Sequence, residues 1–75
     1  MTNRFKDDFE TIFKKVIGVS TVSDDMEMNN IAEWDSLKQV QLIAELEEKL
    51  VIEFEFEDII IMTSIKKIDS VLSKY

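Results

Sequence analysis

With 75 residues and a net charge of −7, the chain has room for one small domain. An acidic surface repels phosphate backbones, so nucleic acid is not an expected partner. The chain has no cysteine and no histidine, which removes disulfides, the usual zinc ligand sets, and both Ser-His-Asp and Cys-His catalysis.

A carboxylate pair would still allow acid–base chemistry. A helical domain of this size has little concave surface in which to desolvate such a pair, so an independent enzyme is not expected. The longest apolar run, Ile59-Ile60-Ile61-Met62, is far too short to span a membrane. The start, Met1 to Asp8, is polar and charged, unlike a secretory signal. The expectation is a cytoplasmic chain that is monomeric and has no membrane partner.

The first predicted element is a helix over Asn3 to Ile17. Phe5, Phe9, Ile12, Phe13, Val16 and Ile17 recur at spacings of three and four and form one apolar stripe. Asn3 is placed to cap its start and Gly18 to end it in a left-handed turn. Residues 19–35 show no period. Their scattered apolar side chains, Val19, Val22, Met26, Met28, Ile31 and Trp34, are expected to pin a long first loop onto the core. The string Asp24, Asp25, Glu27, Asn29, Asn30 within it is not a calcium loop, because the turn glycine is missing and no bidentate glutamate stands at the required place; clustered carboxylates there still allow loose cation binding.

The second predicted helix runs from Ser36 to Leu50, with Asp35 as its cap. Ile52, Phe54 and Phe56 then alternate with Glu53, Glu55 and Glu57, a strand signal on its face. No other segment offers a second strand, and a lone strand cannot satisfy its backbone. The reading is an extended loop that drops these apolar side chains into a helical core. A short helical turn follows at 58–62. A last helix starts at Thr63 or Ser64 and buries Ile65, Ile68, Val71, Leu72 and Tyr75. The expected fold is all-α, a small four-helix bundle of three main helices and one short one.

The charge is uneven. Residues 24–35 carry five acids and no base, and residues 53–58 carry four acids and no base. An acidic face suits a partner with a basic patch, although solubility alone would also account for it.

Advancing about 100° per residue, Gln39, Leu42, Ile43, Leu46 and Leu50 share the core side of the second helix. Leu37, Val40 and Ala44 fall on a second stripe bordered by Gln41, Glu47 and Glu48. A second apolar stripe reads either as a docking surface or as a widened core face.

The run Trp34-Asp35-Ser36-Leu37, followed by Lys38 to Glu48, resembles the acyl carrier and peptidyl carrier protein family. The similarity lies in an Asp-Ser-Leu at the start of the second helix, an alternating apolar and acidic helix ending in Leu-Glu-Glu, and the order and length of the elements. The resemblance implies an acyl-carrier-like four-helix fold. It also implies that Ser36 carries 4′-phosphopantetheine, transferred from coenzyme A by a separate phosphopantetheinyl transferase. Acyl or aminoacyl cargo would be held as a thioester on the arm and passed between loading and acceptor enzymes with basic docking patches. By position, Leu37, Val40, Ala44, Glu47 and Glu48 would form the docking helix, and Asp35 would serve as cap and transferase contact.

Lys38 and Gln41 depart from the acids usual in fatty-acid carriers. With Trp34 before the motif, this points toward polyketide, nonribosomal-peptide or other specialised pathways. Leu42, Leu46, Phe54, Met62 and Ile68 either line a cargo pocket between helices or simply fill the core. Short or polar cargo is expected. From a different class, an unmodified interaction module would use Leu37, Val40 and Ala44 to bind a partner helix.

Overall fold

The computed structural model describes all residues from Met1 to Tyr75. It contains four α-helices and no strand: α1 Lys6–Phe13, α2 Ser36–Leu50, α3 Phe56–Ile61 and α4 Ile65–Leu72. A π-helical turn, Lys14–Gly18, prolongs α1 before the chain enters the first loop. No helix is long and apolar enough to cross a membrane.

The first helix begins later than the apolar stripe suggests. Asn3 is not its cap: Phe5 takes that position without a side-chain cap bond. Asn3 instead folds into the interior. Its Oδ1 accepts from Phe5 N at 2.8 Å and its Nδ2 donates to Asp69 Oδ1 at 2.6 Å. The amides of Thr2 and Asn3 donate to the same Asp69 oxygen, which ties the N-terminus to α4. Burial pushes the Asp69 carboxyl up, but these hydrogen bonds and the nearby terminal ammonium outweigh it and hold the group below the usual carboxylate range. At the other end, Gly18 has φ +84°, the left-handed conformation in which a Cβ would be strained.

The first loop is pinned as its composition suggests. Trp34 is buried, and Val19, Val22, Met26, Met28 and Ile31 pack against the core from its edge. Met28 N donates to Thr63 O and Ile65 N donates to Met26 O, so the loop pairs briefly with the start of α4. One cluster of fifteen buried apolar side chains unites α1, Trp34, α2, Phe54, Met62 and α4. Phe13 sits edge-on to Trp34 at a centroid distance of 4.9 Å, which fixes the loop end from which α2 departs.

The segment after α2 divides where the alternation suggested one behaviour. Phe54 enters the core, but Phe56 opens α3 and is 73% exposed. The short helix therefore starts two residues earlier than 58. Asp58, counted in the acidic surface run, is instead buried and paired with Lys74 Nζ at 2.5 Å. Its hydrogen bond holds the Lys74 ammonium above the usual lysine range, against desolvation, which lowers it. Tyr75 lies beyond α4, half-buried. Its ring meets Phe54 edge-on and its hydroxyl donates to Glu53 O at 3.2 Å. Ser64 caps α4 by accepting from Lys67 N at 3.2 Å.

Candidate functional site

The start of α2 is built by Asp35. Its backbone is extended, and its Oδ1 accepts from Lys38 N at 2.9 Å, the geometry of a helix cap. Its carbonyl accepts from Gln39 N at 2.9 Å and begins the helical ladder. Ser36 is the first helical residue and is exposed. Because Asp35 performs the capping, the Ser36 hydroxyl is left uncommitted. The Ser36 and Leu37 amides, as orphan donors of the first turn, add positive potential around it. An exposed hydroxyl in such a field is well placed to bear a phosphodiester.

Trp34 and Gln39 hold this helix start in place from below. Trp34 Nε1 donates to Gln39 Oε1 at 2.7 Å, and Gln39 Nε2 donates to Met62 O at 2.6 Å. Gln39 thus bridges the first loop, α2 and the end of α3; it is a polar link and not only a member of the core stripe. Lys38 reaches back to the π-helical turn, its Nζ donating to Val16 O at 3.0 Å. The sequence carries no signal for either partner, because both bonds cross between elements.

The second stripe of α2 faces solvent. Leu37 and Val40 are each 67% exposed, and Ala44 is exposed between them and the helix end. Leu42, Ile43 and Leu46 take the buried side. The two apolar faces are therefore distinct, and the widened-core reading does not apply. Glu48 is exposed at the border of the stripe, as expected. Glu47 differs: it is half-buried, and its Oε2 accepts from Phe54 N at 2.9 Å, so it fastens the 51–55 segment instead of standing free at the rim.

Leu42, Leu46, Phe54, Met62 and Ile68 are all buried in the common core, and no cavity opens among them. The surface carries three open grooves of similar size, and the one with the most apolar walls, about 320 Å³, lies between α2 and α3. Val40, Ile43, Ala44 and Ile59 supply its apolar walls, with Gln39 and Glu47 as its polar members. Nothing in the sequence marks Ile59 as a groove residue. It falls in an unbroken run of isoleucines, where periodicity cannot tell inward from outward positions.

No model of a known protein family matches the chain. No curated protein matches it significantly.

Proposed function

We propose that this chain is a carrier protein in which Ser36 bears a 4′-phosphopantetheine arm and passes acyl or aminoacyl groups between partner enzymes. The observation that carries the reading is the pairing of an exposed, uncommitted serine at the first position of α2 with a solvent-facing apolar stripe directly after it. Leu37, Val40 and Ala44 rise along the same helix from Ser36, so an enzyme gripping the stripe would have the arm's attachment point beside its surface. The motif residues that resemble the carrier family, Asp35 to Leu37, are the residues at this point.

The chain fits the group. The exposed Ser36 hydroxyl can take the phosphodiester, and the free amides of the first turn can receive its charge. In the transfer, Ser36 Oγ would form the new bond to the pantetheine-side phosphorus while the pyrophosphate bond of coenzyme A breaks and adenosine 3′,5′-bisphosphate leaves. The chain has no histidine to accept the hydroxyl proton, so the transferase supplies the base and the metal. When bound, the arm supplies the thiol that this cysteine-free chain lacks.

The filled core beneath α2 supports short or polar cargo held outside the bundle. The acids Glu33, Asp35 and Glu48 around the stripe favour partners with basic docking patches. Lys38 and Gln41 dilute that acidity next to Ser36, which favours a specialised pathway over housekeeping fatty acid synthesis.

The test is intact mass after incubation with coenzyme A, magnesium and a broad-specificity phosphopantetheinyl transferase. Wild type should gain one phosphopantetheine and Ser36→Ala none. Absence of any gain on folded protein, with two unrelated transferases, would overturn the reading. It would leave an unmodified interaction module as the better account of the exposed stripe.

A further inference from the structure

Helix α3 is built inside out. Of its six residues, Phe56-Glu57-Asp58-Ile59-Ile60-Ile61, the one buried side chain is a carboxylate. Phe56 is 73% exposed, Ile60 57% and Ile61 46%. Ordinary packing puts such side chains inward and leaves aspartate in water.

The orientation is fixed from two sides. Asp58 is held inward by Lys74 Nζ and lies 3.5 Å from Tyr75 OH. Ile59 lines the groove with Val40, Ile43 and Ala44 of α2. At about 100° per residue, Phe56 and Ile60 fall about 40° apart and about 160° from Asp58, directly outward. The outward face therefore follows from the anchoring of α3. It is also continuous with the groove through Ile59, so one apolar surface runs from α2 onto α3.

The surrounding charge selects what covers it. Glu53, Glu55 and Glu57 are exposed around this helix, and there is no base between Lys49 and Lys66. Asp58 is already neutralised by Lys74. A second copy would set these acids against their own images, and an anionic bilayer would be repelled in the same way. A helix with an apolar side flanked by lysine or arginine satisfies both the face and its rim.

We propose that Phe56 and Ile60, with the adjoining groove, form a docking site for a cationic amphipathic helix of a partner protein. The site does not depend on modification of Ser36, and it extends the Leu37–Val40–Ala44 stripe, whose Val40 and Ala44 already wall the groove, onto α3.

The experiment is an NMR titration of the full chain with a synthetic leucine–lysine amphipathic peptide of about 18 residues, long enough for about five helical turns. A leucine–glutamine peptide of the same pattern, vesicles containing anionic lipid, and sedimentation of the chain alone complete it. Saturable shifts should centre on residues 56–61 and weaken with salt. Phe56→Ser with Ile60→Ser should weaken binding at least about tenfold, the loss expected for two apolar contacts, while Ser36 is still modified at the wild-type rate. Because both side chains are exposed, the double variant should keep a folded spectrum. Glu53→Gln with Glu57→Gln provides a second variant that leaves the apolar face intact, and it should weaken the lysine peptide only. The proposal is overturned if the shifts map to Leu37 and Val40 alone, or if neither pair of substitutions alters binding. Self-association or vesicle binding through Phe56 would overturn it as well.

Discussion

Replacing Gln39 with methionine tests the link that seats the start of α2. The substitution keeps the volume and helix propensity of the side chain and removes both of its hydrogen bonds. It strands Trp34 Nε1, on a side chain 1% exposed, and the carbonyl of Met62, a residue with no exposure. A buried polar group left without a partner costs about 1–3 kcal/mol. Gln39 itself borders the open groove, so water can reach part of the site, and a combined loss of about 2 kcal/mol is expected. A core of this size supplies about 3–5 kcal/mol in all. The variant should therefore lose close to half its stability and melt about 8–16 °C lower. Urea unfolding followed by Trp34 emission and by far-ultraviolet circular dichroism would measure this. The same substitution in a Trp34→Phe background, where one stranded group no longer exists, should cost about 1 kcal/mol less. A loss below about 0.5 kcal/mol, or equal losses in both backgrounds, would refute the argument.

The cap assignment predicts opposite outcomes for neighbouring residues. Asp35→Ala should cost about 1 kcal/mol, whereas Ser36→Ala should change stability by less than about 0.5 kcal/mol, as read from thermal melts. Val51 closes α2 at φ 55°, ψ 51°, and is 86% exposed. A left-handed conformation costs an L-residue about 1–2 kcal/mol, part of which glycine returns through its freer unfolded chain, so Val51→Gly should stabilise by about 0.5–1 kcal/mol. Denaturant midpoints would show it, and a destabilised variant would mean that the valine side chain makes a contact worth more than the strain. Asp69, held below the usual carboxylate range, contributes stability that is present above its unfolded pKa of about 3.9 and lost as the pH falls through the lower folded value. Asp69→Asn should flatten the acid limb of stability against pH below about 4; an unchanged limb would remove Asp69 as its source.

Elements with their own local signals were legible in the sequence. The α2 bounds follow from a capping aspartate and an uninterrupted period, and α4 follows from Ser64 and a single apolar stripe. The pinned loop follows from its spaced apolar anchors. Local signals failed where a residue's partner lies on another element. Asn3 has the chemistry of a cap, yet Asp69 offers it a stronger partner across the fold. Alternation in 52–57 gives Phe54 and Phe56 the same expected fate. The helix that begins at Phe56 changes the side-chain period from two to 3.6 and turns the second ring outward. The second stripe on α2 was visible in the period, but its exposure was not, because a period does not say how many neighbours a helix has.

Apolar burial alone does not decide which face of each short helix looks outward. Burial is non-directional, and a six-residue helix of mostly large apolar residues could satisfy it in several rotations. Hydrogen bonds are directional, and here each sits where that freedom would otherwise remain. Asp58 with Lys74 sets the rotation of α3. Gln39, bonded to both Trp34 and Met62, sets where α2 begins relative to the loop and to the end of α3. Glu47, bonded to Phe54 N, sets the path between them. With those three fixed, Ser36, the Leu37–Val40–Ala44 stripe and the Phe56–Ile60 face all remain in solvent, although Leu37, Val40, Phe56 and Ile60 are of types a core would accept. The polar anchors thus keep apolar side chains on the surface that burial alone would draw inward.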